Sequence, residues 1–119
     1  MLTWKVSFYR TDSGFCPVEE FLDSLNGKQA QKVVWVLKLI EDLYVVPIQY
    51  FKKLKGTSEL WEVRVKAGKN NVRILGFFYK DNLIVLNHAF LKKSQKTPKK
   101  EIETAEQRKK DFLRRNENE

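Results

Sequence analysis

The stretch Leu60-Trp-Glu-Val-Arg-Val-Lys66, with Asn71-Val-Arg-Ile-Leu-Gly-Phe-Phe-Tyr79 and Asn82-Leu-Ile-Val-Leu-Asn-His-Ala-Phe-Leu-Lys-Lys-Ser-Gln-Lys-Thr-Pro98 after it, predicts three β-strands. The first alternates strictly. Trp61, Val63 and Val65 point one way and Glu62, Arg64 and Lys66 the other, as a half-buried strand requires. The sheet therefore has a polar face. Ala67-Gly68-Lys69-Asn70-Asn71 and Lys80-Asp81-Asn82 are short enough to close hairpins, so the pairing is expected to be mainly antiparallel.

Upstream, Leu2, Trp4, Val6 and Phe8 alternate with Thr3, Lys5, Ser7 and Tyr9, which predicts another strand with one wet face. Pro17 suits the first turn of a helix reaching Leu25, with Glu19 and Glu20 at its positive end. From Gly27 to Val45, apolar residues recur at spacings of three and four and predict an amphipathic helix that stops before Pro47. Tyr50 to Ser58 reads as a loop or short irregular element carrying Lys52, Lys53 and Lys55. Past Pro98, Glu101 to Arg115 predicts a last helix with a thin stripe of Ile102, Ala105 and Phe112, and Asn116 to Glu119 a frayed tail. The expectation is one α+β domain over residues 1–119, with two N-terminal helices packed on a mainly antiparallel four-stranded sheet and a C-terminal helix.

The chain's 119 residues carry a formal net charge of +8, which points to an acidic partner, with nucleic acid the usual one. One Cys and one His exclude an internal disulfide and an ordinary His/Cys metal site, so neither metal nor cofactor is expected. No apolar run reaches the roughly 18 to 20 residues of a membrane span, and no signal-peptide layout opens the chain, so a cytoplasmic protein is expected.

Leu54-Lys-Gly56, Leu60-Trp-Glu-Val-Arg64, Arg73 and Phe90-Leu-Lys-Lys-Ser-Gln-Lys-Thr-Pro98, followed by Glu101 and Ala105, resemble the RelE/HigB superfamily of toxins in its phage-derived HigB-like branch. The resemblance implies a RelE-like fold and a messenger-RNA endoribonuclease acting on the ribosome. It also implies a small cognate antitoxin of the HigA-like helix-turn-helix type. RelE relies on a tyrosine near its carboxyl end, whereas this chain has no Tyr after Tyr79, so the acid and base fall on His88, a lysine or Tyr79.

Metal-free RNA cleavage uses the ribose 2′-hydroxyl as nucleophile, and needs a proton acceptor, a proton donor and cations for the phosphorane. The candidate catalytic residues are Arg64, Arg73, His88 and Lys92: the arginines to hold phosphate, His88 for its pKa near neutrality, and Lys92 as a further cation. Lys53, Lys55, Lys93 and Lys96 are candidate RNA ligands, and Phe90 a stacking ring on the face of His88 and Lys92. Against these stand plainer roles: His88 as a structural histidine, Arg64 paired with Glu62 on a wet face, Arg73 in a structural ion pair. Trp35 and Trp61 read as core. The alternative function is a noncatalytic basic protein that binds nucleic acid or a partner.

Overall fold

In the computed structural model, which describes residues 3–93 and 96–117, the elements run β1 (Lys5–Phe8), α1 (Pro17–Asp23), α2 (Gly27–Asp42), β2 (Phe51–Lys53), β3 (Trp61–Ala67), β4 (Asn70–Tyr79), β5 (Leu83–Leu91) and α3 (Lys99–Asn116). The α+β expectation holds, but the sheet differs: it has five strands in the order β1-β5-β4-β3-β2 and is mixed, because β1 joins β5 in parallel. The predicted hairpins supply the antiparallel centre. Chain leaving β1 passes through both N-terminal helices before re-entering the sheet, so nothing holds β1 in a hairpin and it can take the far edge in parallel.

The fifth strand is β2, within the expected loop. Phe51 lies opposite Val63, is 6% exposed, and stacks on Trp61 with ring centroids 4.9 Å apart. The adjoining lysines hid this strand, since Lys52 and Lys53 are simply the exposed positions of a sheet edge.

Helix α2 begins at Asn26, whose side chain accepts from Gln29 N at 2.9 Å, and ends at Asp42, three residues before the expected Val45, as Leu43 turns extended. It buries Val33, Val36, Leu37 and Ile40 with Val18 of α1 against Val63, Val65, Val72, Ile74, Ile84 and Leu86. The opposite sheet face, expected to be wet, lies largely under α3. There Leu60, Leu75 and Phe90 meet Ala105 and Ile102, and Tyr9, Phe77 and Val85 meet Phe112. Tyr9, assigned to the wet side of the first strand, is 4% exposed and donates its hydroxyl to Asp111 Oδ2 at 2.5 Å. The apolar stripe of α3 is the expected one; its target is the polar face of the sheet.

Register shifts by one residue between Leu75, opposite His88, and Gly76, opposite Leu86. Asn87 is the extra residue of this bulge, and its Nδ2 donates to Ala105 O at 2.9 Å. Gly76 is obligatory here because a Cβ would run into the Val85 carbonyl and Leu86. Asn116 belongs to α3, not to a tail, whereas Asn118 and Glu119, Leu2 of the expected first strand, and Ser94 and Gln95 of the Lys-rich string lie outside the described residues.

Candidate nucleic-acid interface

Arg64 and Arg73 lie directly opposite each other across the β3–β4 pair, so both point to the same side of the sheet. Two cations facing each other repel unless something sits between them. Glu62, two residues along on the same face, supplies that charge: its Oε1 is 3.6 Å from Arg73 Nε and 3.7 Å from Arg64 Nε. Glu62 is 2% exposed, and its Oε2 accepts from Thr97 Oγ1 at 2.7 Å, which ties the chain just before α3 to the arginine pair. The carboxylate is thus a buried hub, not the half of a surface pair.

Arg73 is the more deeply placed cation. Its Nη1 donates to Val72 O at 3.1 Å, while its Nε is buried without a hydrogen-bond partner. Burial pushes its pKa down, Glu62 opposes that, and Arg64 adds to it. Arg64, with 30% of its side chain exposed, reaches solvent.

Lys92 lies one residue past β5, where its N–H donates to Asn71 O at 2.7 Å and continues the ladder alongside Arg73. Desolvation lowers its pKa; Glu62 opposes this, and Arg73, Arg64 and Lys52 reinforce it. Arg64, Arg73, Asn71, Lys69, Lys92 and Lys93 line a cleft of about 660 Å³. A second cleft of about 400 Å³ adjoins it, sharing Arg64, Arg73 and Asn71 and adding Lys32, Lys66 and Tyr50. Such a site carries a clear excess of positive charge over the single buried carboxylate, an electrostatic character that favours anions.

The other sequence candidates fall elsewhere. His88 and Phe90 do share a face and their rings stack at 5.6 Å, yet neither lines these clefts. Phe90 is 7% exposed in the core under α3. His88 Nδ1 is 3.1 Å from Arg108 Nη1 and its Nε2 is 2.9 Å from Glu101 Oε1. Because a guanidinium only donates, Nδ1 accepts and the proton sits on Nε2, facing the carboxylate. Burial lowers the His88 pKa, the Glu101 hydrogen bond opposes it, and the Arg108 charge lowers it further. Lys53 projects to the α2 side of the sheet and pairs with Glu59 at 3.5 Å. Lys55 is exposed in the turn after β2 and Lys96 shortly before α3, whereas Lys93, also exposed, is the one lysine of this group that lines the Lys92 cleft. Among the described residues, no group of three or more His, Cys, Asp or Glu could hold a metal ion, and no helix is long and apolar enough to cross a membrane.

Sequence reading missed Glu62 and Thr97 as the hub and Lys52 as the β2 lysine on the arginine side. Only Lys52 carried a usable signal: in Phe51-Lys52-Lys53, an inward aromatic puts the next residue on the opposite face.

A small α+β sheet protein with a cation-lined cleft around an arginine pair is the class that fold and site define. Residues 20–110 match the family model of the phage-derived Gp49-like proteins (DUF891). The chain belongs to that Gp49-like family, which is associated with RelE-like and toxin-like proteins and is consistent with a toxin of a toxin-antitoxin system. Comparison with curated proteins gave no match.

Proposed function

We propose that this protein is the toxin of a type II toxin-antitoxin system, HigB-like in kind, and that it cleaves messenger RNA in the cytoplasm, on the ribosome, by attack of the ribose 2′-hydroxyl on the adjacent phosphorus. The observation that carries this reading is the Arg64–Arg73 pair facing one cleft with Lys92 beside it. Arg64 and Lys92 reach the scissile phosphate, and Arg73 supports the developing charge from the floor of the cleft. Lys92, with its lowered pKa, takes the 2′-hydroxyl proton, and a protonated cleft lysine, Lys93 being nearest in sequence, returns one to the leaving 5′-oxygen. The products are a 2′,3′-cyclic phosphate and a 5′-hydroxyl end. His88 serves to anchor α3 over the sheet instead of moving a proton. A HigA-like antitoxin restrains the activity, in keeping with the family.

The test is to induce the gene with and without its neighbouring antitoxin gene, map new transcript ends, and repeat cleavage with purified protein, with and without ribosomes. Wild type should arrest growth and produce new ends, and Arg73→Lys, which keeps charge but loses the fork, should bind RNA and cleave poorly. Wild-type protein that binds RNA but produces no ends under any of these conditions would establish the noncatalytic alternative.

A further inference from the structure

We propose that the cleft continues beyond the arginine pair into a second nucleotide subsite, formed by Trp35, Tyr50 and Lys32, which stacks a base flanking the phosphate held at Arg64 and Arg73. This rests on the reading of the ligand as single-stranded RNA and adds where its neighbouring nucleotide lies.

Trp35 was expected in the core and is not there. Helix α2 buries Val33, Val36, Leu37 and Ile40, and Trp35 is left 50% exposed. A large ring held at a fixed place with half its surface in water is a stacking platform when a cleft lies next to it. The link to the cleft is direct. Arg64 N–H donates to Tyr50 O at 2.8 Å, which sets Tyr50 beside the arginine. The Tyr50 ring then meets Trp35 edge-on at 5.9 Å, with the planes at 77°. Lys32 Nζ lies 4.8 Å over the Trp35 ring, so the platform already holds a cation in the place where a phosphate could draw it away.

Continuity supports one trough over two separate sites. Lys32 and Tyr50 line the 400 Å³ cleft together with Arg64 and Arg73, and those arginines also line the 660 Å³ cleft that holds Lys92. A strand threaded through both passes cations at each step and finds aromatic surface at one end, the combination that single-stranded nucleic acid requires. A protein partner is the competing occupant, since Val34, Tyr44, Val45 and Ile48 are also exposed on α2 and the segment after it. Arg64, Arg73, Lys32 and Lys66 in the walls favour the polyanion.

The experiment uses 2′-O-methyl oligoribonucleotides, which cannot be cleaved: a dinucleotide and a strand roughly eight nucleotides long. Affinity is read from intrinsic tryptophan fluorescence and by anisotropy, and melting temperature is recorded for each variant. Trp35→Ala should weaken the longer strand on the order of 10-fold and leave the dinucleotide unaffected, with Trp35→Phe restoring most of the loss. Lys32→Ala should lower the salt dependence of the longer strand by about one phosphate contact. The subsite is overturned if the longer strand binds Trp35→Ala and Lys32→Ala as it binds wild type while Arg64→Ala, which removes a cation of the arginine pair, weakens it; the proposed function then survives. Failure of wild type to bind either probe removes the RNA reading itself, and the subsite with it. Loss of antitoxin affinity in Trp35→Ala with RNA affinity intact assigns the face to a protein and overturns the subsite.

Discussion

Glu62 Oε1 lies 3.6 Å from Arg73 Nε, with only 3% and 10% of the two side chains exposed. A pair this deep in a site that otherwise gathers cations has two effects. It keeps Arg64 and Arg73 from repelling each other across the strands, and it lowers the affinity of the cleft for any anion.

Glu62→Gln separates those effects. The amide can still accept from Thr97 Oγ1, but the buried arginine loses its counter-charge, which should destabilise the fold by about 3 kcal/mol in denaturant melts. At the same time, a non-cleavable RNA strand should bind more tightly than to wild type. If stability and affinity both stay at the wild-type level, the carboxylate is not the counter-ion of the arginine pair.

Lys92 sets the expected pH profile of cleavage. In the proposed mechanism the neutral amine is the base, and its pKa is pushed below the ordinary 10.5 by desolvation first, with the nearby cations adding to it. The rate should therefore rise with pH along a limb that levels off below that value. Lys92→Arg keeps the charge without a titratable amine, so the limb should vanish and the rate fall by about 10² to 10⁴. A limb that persists unchanged in Lys92→Arg would place the proton transfer elsewhere.

His88 should govern stability and not rate. Its pKa in the fold lies below 6.5 because burial disfavours the charged ring and Arg108 already faces Nδ1. The unfolded chain then binds more protons than the fold as pH drops from 6.5 toward the folded value, so this contribution is present above 6.5 and lost below it. Melting temperatures measured from neutral to mildly acid pH should fall more steeply for wild type than for His88→Gln, and cleavage per folded molecule should match in both. A steep loss of rate in a stable His88→Gln protein would return His88 to the chemistry.

Gly76→Ala tests the bulge that aims Asn87 and His88 at α3. The added methyl meets the Val85 carbonyl, a backbone atom that cannot swing aside, so the sheet must shift. A loss of about 1 to 3 kcal/mol is expected in urea unfolding, along with weaker protection of the Asn87 amide from hydrogen exchange. Wild-type stability in this variant would mean that β4 and β5 can separate there freely.

Local periodicity was enough to place α1, α2, α3 and the three central strands, because each repeats apolar residues at the period of its own geometry. It also placed Arg64 and Arg73 on strands. Periodicity describes one element at a time, and the remaining features arose between elements. Whether the face of Glu62 was wet depended on α3 arriving over it from about 40 residues further along the chain. The partners of β1 and β2 depended on which edges stayed open once the hairpins had formed. Trp35 faces solvent because the sheet has room beneath α2 for only one side of that helix, which Val33, Val36, Leu37 and Ile40 fill. His88 left the cleft for Glu101 and Arg108 through packing of β5 against α3, a contact that spacing along the strand cannot express. Burial of a charge and the identity of its partner are properties of three-dimensional neighbours, and only the tertiary structure decides them.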